Sequence, residues 1–476
     1  MKNQTLMTDF YELTMAQTYF ENGKKDEEVF FDVFFRNNPF GGGYTISGGL
    51  DNIIDYINNF HFEKEEIDYL RSLGNFSDEF LEYIEDLKFT GSVYAVEDGT
   101  IIFPNEPIIT IKAKTIEAQL METAILACFN HGSLVTTIAK RITNEAGNRP
   151  VMEFGARRAR GIDSAIDASK YAYVGGCIGT SNTYAAMKYG IPALGTMAHS
   201  LVTEAEDEYQ AFLNYAKSNP NNCVFLVDTY DTLRIGIPNA IRVANDYLKP
   251  NGLVFKGIRI DSGDLAYLSK ETRKMLDDAG YVETQICLSN GLDEFTIRDL
   301  INQGACFDSL GVGDNIAASK ERVGGVYKLV GIMKDGKVEP KIKVSNDSLK
   351  TINPGFKKTY RFYDKESKYA LGDVICTYDE CIDTSGYTLV NPIDPWKRKY
   401  ISNYDIRELQ VSIFENGKQV YDLPSVKERR EYCSKEFETI YPEIKRILNP
   451  HVYYVDLSEK LLSLKNELIY KYTGKR

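Results

Sequence analysis

Between residues 151 and 316 the chain repeats one pattern seven times: a short apolar run ends in Gly, Thr, Asp, His or Asn, and a loop or amphipathic segment follows. The runs are VMEFGARR, YVGGCIGTSN, IPALGTMAHS, NCVFLVDTYD, FKGIRIDSGD, TQICLSNGLD and DSLGVGDNI. Marked at Glu153, Thr180, His199, Asp228, Asp261, Asn290 and Gly313, they are spaced by 27, 19, 29, 33, 29 and 23 residues. That is the spacing of βα units, and strands alternating with helices predict a parallel sheet. EAEDEYQAFLNYAKS, LSKETRKMLDDAG and DEFTIRDLINQG supply helices between runs. Seven units favour an α/β barrel over an open sheet, and the uneven intervals make it an irregular one. In a barrel, functional groups gather at the C-terminal strand ends, where these polar endings fall.

The flanks read differently. Residues 1–20 carry Leu6, Phe10, Leu13 and Tyr19 near helical spacing, which leaves Tyr11 off the stripe. EVFFDVFFR and the stretch 89–113, with its DG turn and prolines, predict a mostly antiparallel sheet; 51–88 reads as two helices and 116–146 as one long helix. GGGYTISGGL lacks the Lys-Ser/Thr ending of a phosphate loop and reads as a tight connection. After 322, VYKLVGIMKDGKVEPKIKVS predicts a hairpin about Asp335-Gly336, and later strands extend the front sheet. Residues 425–446 and 457–471 read as charged amphipathic helices. The expected domains are 1–125, joined by strands from 325–400; 126–324, holding the active site; and 325–476, completing the sheet with a helical tail.

Composition narrows the function classes. Apolar residues make up 43% and charged residues 26%, with a formal net charge of -12. That balance argues against a nucleic-acid binder, which needs clustered Lys and Arg. It leaves room for a small anion in a local cationic pocket. No apolar run approaches the roughly eighteen residues of a membrane span, and the start lacks a signal peptide's apolar core, so the cytoplasm is expected. Eight scattered cysteines without a C-x-x-C pair are expected to be reduced thiols, and four histidines without paired spacing argue against structural zinc.

The chemistry concentrates at KGIRIDSGDL. Alternation puts Ile258 and Ile260 on one face and Arg259 and Asp261 on the other, with Ser262 and Asp264 at the following turn. A cation, two carboxylates and a hydroxyl there suit a phosphorylated, hydroxyl-bearing ligand; a structural ion pair is the plain alternative. Arg157, Arg158 and Arg160 crowd the first strand end, and one or two of them are expected to pair with core carboxylates. Phe154 offers a ring for stacking or packs in the core. Asp228 with Asp231, and Asp261 with Asp264, form Asp-x-x-Asp pairs that suit a water-bearing Mg2+ or cap helices. Asn290-Gly291 and Gly311-Val312-Gly313 allow close backbone approach to a phosphate. His199 ends the third run, with general acid/base, metal-ligand and nucleophile roles open to it, metal binding being the weakest.

Taken together, TDFYELTMAQ, NHGSL, EFGARRARG, GTSN, GTMAHS, VDTYDT, RIDSGDL, GVGD and GGVYKLV resemble, in this order, the segments of nicotinate phosphoribosyltransferases over about the first 330 residues. The resemblance implies a type II phosphoribosyltransferase fold: an N-terminal open-faced α+β sandwich, an irregular α/β barrel and a C-terminal extension, in a homodimer with active sites at the interface. It implies condensation of nicotinate with phosphoribosyl pyrophosphate to nicotinate mononucleotide, coupled to ATP hydrolysis through phosphorylated His199, with Mg2+. The ring would lie between Tyr11 of the neighbouring subunit and Phe154. Arg259, Thr196 and Arg157, with Thr180 and Ser181, would hold the nicotinate carboxylate or nearby phosphates. Asp228, Asp261, Ser262 and Asp264 would meet ribose hydroxyls and pyrophosphate, with Asp228 and Asp261 as candidate Mg2+ contacts. Asn290, Gly291 and Gly313 would lie near the 5′-phosphate. Nicotinamide-using relatives carry Asp after the Gly-Thr where this chain has Ser181, which favours the acid. Asp314 stands where many members have Thr, so its side chain is given no phosphate. The rivals are a nicotinamide- or quinolinate-using transferase, a sugar-phosphate barrel lyase and a non-catalytic pyridine-nucleotide sensor. No Schiff-base Lys or His/carboxylate metal set stands at a strand end to favour the lyase.

Overall fold

The seven apolar runs assemble around one parallel sheet in the computed structural model, which describes residues 3–345, 350–383, 385–391 and 396–474. Its strands lie in the order Gly179–Thr180, Val151–Glu153, Ser309–Val312, Gln285–Ser289, Gly257–Ile260, Val224–Leu226, all parallel. The third run adds a single parallel bridge, Ala193 to Thr180. Each run therefore lies beside its sequence neighbour, and the first lies beside the seventh. The third and fourth runs stand at the two ends of this order, and among the described residues no backbone ladder joins them. Side chains do, with Asn222 Nδ2 donating to Gly195 O at 3.4 Å and His199 Nδ1 lying 3.1 Å from Thr229 Oγ1.

One face of the sheet is turned into the core, where Ile258, Ile260, Ile286, Leu288 and Leu310 are fully buried. Side-chain caps start the helices directly after the strands. Asp264 accepts from Tyr267 N, Asp293 from Thr296 N, Asp231 from Arg234 N and Asn182 from Ala185 N. Each such cap satisfies an orphan amide and contributes about 1 kcal/mol. The second run is shorter than its text suggests. Its opening Tyr173 and Val174 finish the helix Ile162–Val174, and only Gly179–Thr180 pair as strand.

Residues 135–320 and 425–430 make up this unit; residues 1–134, 321–424 and 431–476 make up the other. The second unit holds a seven-stranded antiparallel sheet in the order Lys337–Pro340, Gly325–Lys334, Glu28–Phe35, Ile109–Lys114, Ser92–Val96, Gln410–Glu415, Lys418–Gln419. The hairpin turns at Asp335 and Gly336, both with positive φ (48° and 74°), which a tight two-residue loop demands. A four-stranded sheet runs Tyr404–Glu408, Lys357–Asp364, Ala370–Thr377, Val455–Leu457.

Three elements depart from expectation. Residues 51–88 lie among three helices, Leu50–Asn58, Lys64–Ser72 and Asp78–Glu85, because a Glu63–Glu66 capping box and the Ser77 cap each start a new one. The 116–146 stretch divides into Thr115–Gln119 and Glu122–Ala146. The helix expected to reach 446 is Val426–Glu438. Pro442, which cannot continue a helix, follows closely. All eight cysteines are free thiols, and no helix among the described residues is long and apolar enough to cross a membrane.

Candidate active site

The strand Gly257–Ile260 sets the geometry. With Ile258 and Ile260 turned into the core, alternation aims Arg259 and Asp261 at the cleft beyond the strand ends. Arg259 Nη1 donates to Thr196 Oγ1 at 2.6 Å, and its Nη2 stands 4.0 Å from Asp261 Oδ2. Its Nε is buried without a hydrogen-bond partner, which leaves an orphan donor beside the cleft. Asp261 Oδ1 accepts from Ser289 Oγ, tying the fifth strand end to the sixth.

Asp228 sits one strand over and is 9% exposed. Its Oδ2 accepts from Asp261 N at 3.1 Å and from Ser262 Oγ at 2.6 Å. Its Oδ1 is buried without a hydrogen bond and lies 3.9 Å from His199 Nε2. Asp261 Oδ2 lies 3.9 Å from the same nitrogen. His199, at the start of the helix His199–Glu204, thus presents Nε2 to two carboxylates while Nδ1 faces Thr229. Behind Asp228 lies buried Glu208, whose carboxyl is pushed up to about 7 by burial, with the charge of Asp228 adding to the rise.

The cleft has a volume of about 630 Å³. Phe154, Arg157, Ser181, Thr196, Arg259 and Asp261 line one part, and Asn290, Gly291, Gly313 and Asp314 another. The Phe154 ring is seated on the bare Cα of Gly311; a Cβ there would fall 2.5 Å from its Cδ2 and Cε2. Asn290 and Gly291 both have positive φ (90° and 61°), an exposed left-handed pair closing the sixth strand. Asn315 Nδ2 pins that loop through Gly291 O and Leu292 O at 3.2 and 2.9 Å.

One sequence expectation changes here. Arg157, Arg158 and Arg160 make no ion pair among the described residues; Arg160 donates to the Ser319 carbonyl at 3.1 Å, while Arg157 and Arg158 are exposed and line the cleft. The core carboxylate nearest them, Glu153, is occupied instead by neutral donors: Gly155 N, Ser169 Oγ at 3.0 Å and Thr180 Oγ1 at 2.5 Å. Burial raises the Glu153 carboxyl above its ordinary range.

The proposed site residues separate accordingly. Thr180 has its hydroxyl turned inward to Glu153, Asp228 is buried beside the cleft, and Ser262 and Asp264 are exposed outside its lining, Asp264 as a helix cap. Tyr11 lies on the helix Phe10–Glu21 of the other unit, 45% exposed, its hydroxyl held above the ordinary phenol range by burial and by Glu122. Thr229, Ser289 and Asn315 gain positions that residue-type reasoning did not assign, and Gly311, expected to let backbone approach a phosphate, seats the Phe154 ring. Thr229 and Ser289 had a usable signal, since each adjoins a singled-out residue at a strand end.

Fold and site define an α/β protein with a cleft at the C-terminal ends of parallel strands, lined by arginines and carboxylates that include Arg259 and Asp261 from one strand end. Family models match three stretches: the nicotinate phosphoribosyltransferase N-terminal domain over residues 6–130, the nicotinate phosphoribosyltransferase family over 150–368, and its C-terminal domain over 356–465. The nicotinate phosphoribosyltransferase of Bacillus subtilis is 41% identical over 470 residues, covering 98% of this chain and 95% of its own. That of Dictyostelium discoideum is 34% identical over 524 residues, covering 97% and 88%. The crystal structure of human nicotinic acid phosphoribosyltransferase superposes with a TM-score of 0.85 at 28% identity, over 97% of this chain and 99% of its own. Nicotinate-nucleotide pyrophosphorylase from Pyrococcus furiosus shares the fold, with a TM-score of 0.70 at 24% identity over 91% and 95%. The chain belongs to the nicotinate phosphoribosyltransferase family.

Proposed function

We propose that the protein condenses nicotinate with phosphoribosyl pyrophosphate in NAD synthesis. The ring nitrogen bonds to the anomeric carbon, the carbon–oxygen bond to pyrophosphate breaks, and its electron pair leaves with pyrophosphate. The observation that carries this reading is the cleft of a family member in which Phe154, Arg259, Asp261 and the Asn290-Gly291 turn meet. The Phe154 face orients the ring, Arg259 with its orphan Nε takes the carboxylate, and Ser181 lines the cleft without repelling it. Asp261 stabilises the positive charge that builds on the ribose as the bond breaks. The 5′-phosphate rests against the Asn290–Gly291 and Gly313 backbone, away from the Asp314 carboxylate.

ATP hydrolysis enters through His199. In the tautomer that donates its Nδ1 proton to Thr229 Oγ1, Nε2 carries the lone pair. It bonds to the γ-phosphorus of ATP as the bond to ADP breaks and the electron pair leaves on ADP. Loss of that phosphate to water restores the histidine. Asp228 Oδ1, buried without a hydrogen bond, and Asp261 Oδ2 fit a Mg2+ brought by the phosphates, since among the described residues no group of three or more His, Cys, Asp or Glu could hold a metal by itself. When bound, Mg2+ would neutralise phosphate charge beside these carboxylates. The strand order supports an irregular barrel, and the antiparallel unit an open-faced sandwich. The working form in this reading is a cytoplasmic homodimer whose cleft receives Tyr11 from the neighbouring subunit.

Pyrophosphate release tests the reaction. With phosphoribosyl pyrophosphate and each of nicotinate, nicotinamide and quinolinate, nicotinate should turn over fastest, and ATP should stimulate it. Preference for nicotinamide would reject the Ser181 argument, and ligand binding without pyrophosphate release would make the protein a sensor.

A further inference from the structure

A second cavity, of about 350 Å³, lies wholly within the other unit. Its size falls in the range of small-ligand sites. The walls come from three parts of the chain: Phe34 on the strand Glu28–Phe35, Ile352 and Ile375 from the middle, and Leu457 and Ile469 from the last strand and helix. They join two small apolar clusters, one around Phe30, Phe34, Val330 and Ile352, the other around Ile375, Leu457 and Leu461.

Three charged side chains face this apolar space: Asp32, Lys357 and Lys465. Two cancel. Lys357, fully inside, lies 2.7 Å from Asp32 Oδ2 and donates to Gly355 O at 2.6 Å, while Asp32 Oδ1 accepts from Thr110 Oγ1 at 2.7 Å. Lys465 is left over. Its ammonium donates to the neutral Asn353 Oδ1 at 2.8 Å and meets no carboxylate among the described residues. Burial and the nearby charge of Lys357 push it down to about 8, so it still carries its proton at neutral pH. Asp456, between the lining residues Val455 and Leu457, alternates to the far face of that strand and is absent from the lining.

A half-buried cation with donor capacity to spare, at one end of an apolar cleft, is costly unless something supplies negative charge. A phosphate dianion fits poorly, because one free ammonium faces it and Asp32 stands beside the second. A neutral apolar guest would leave Lys465 uncompensated. We propose that this cavity binds a small monocarboxylate with an apolar body, the carboxylate on Lys465 and the body among Phe34, Ile352, Ile375, Leu457 and Ile469. The site makes no use of the catalytic cleft, so it stands or falls independently of the proposed reaction.

Calorimetric titration of the full chain with hexanoate and with hexanol tests it. Hexanoate should bind saturably at one site, at least about tenfold tighter than hexanol. Lys465→Met should weaken hexanoate at least tenfold while leaving pyrophosphate release unchanged, and Lys465→Arg should restore much of the binding. No saturable hexanoate binding at millimolar concentration, equal affinity for hexanol, or unaltered affinity in Lys465→Met would each overturn the assignment. The first result would leave Lys465 compensated by water alone.

Discussion

Gly311 serves the site by what it lacks. Its Cα is the seat of the Phe154 ring, and a methyl group there would stand 2.5 Å from two ring carbons. Gly311→Ala should therefore turn the ring out of place. Overpacking of this kind costs about 1–3 kcal/mol, so KM for nicotinate should rise by roughly tenfold or more, with KM for phosphoribosyl pyrophosphate little changed. Equal rises in both constants would count against a ring-seating role. His199→Ala should abolish ATP stimulation and acid-labile phosphate incorporation from ATP, with slower ATP-independent synthesis surviving. Labelling of the variant at the wild-type level would refute the phosphohistidine. Residue types exposed most of this set: an Arg, an Asp and a His at strand ends are chemically conspicuous. Gly311 was singled out for another role, because a glycine in a Gly-Val-Gly run reads as backbone freedom until the ring lying on it is seen. Thr180 misled in the opposite direction, a polar strand end whose hydroxyl turns inward to Glu153.

At the scale of elements, Glu153 joins three segments through one carboxyl group, accepting from Gly155 N, Ser169 Oγ and Thr180 Oγ1. Glu153→Ala would orphan these buried donors and should cost about 2–4 kcal/mol in denaturant unfolding. Glu208 makes a pH-dependent contribution. Its carboxyl rises from 4.5 to about 7 on folding, so the folded state holds this proton more tightly than the unfolded chain. Its contribution is full below about 4.5, falls as pH rises towards 7 and is flat above. Relative to wild type, Glu208→Gln should gain on the order of 2 kcal/mol of stability between those limits. Parallel stability–pH curves would contradict this. Element boundaries were legible where local chemistry set them, as with the Asp264 cap and the Asp335-Gly336 turn. They were missed where a second signal lay inside an apolar pattern: Ser77 starts a third helix in a stretch that reads as two.

At the scale of the molecule, seven repeats gave the parallel sheet and the side on which its chemistry lies. Pattern alone did not show which runs stand at the ends of the sheet, because a run such as IPALGTMAHS is apolar enough for a strand yet makes one bridge. The subunit-sharing reading makes a prediction of its own. Tyr11→Ala and His199→Ala should each lose ATP-stimulated turnover. Randomly mixed dimers should regain about a quarter of wild-type activity, since half are mixed and each mixed dimer holds one intact site of two. Activity no greater than the sum of the parents would place Tyr11 and His199 in the same subunit's site. The most direct test of the whole account is a crystal structure with nicotinate mononucleotide bound. The pyridine ring should lie on Phe154, its carboxylate at Arg259, the ribose beside Asp261 and the phosphate against Asn290-Gly291. A nucleotide bound with none of these four contacts would contradict it.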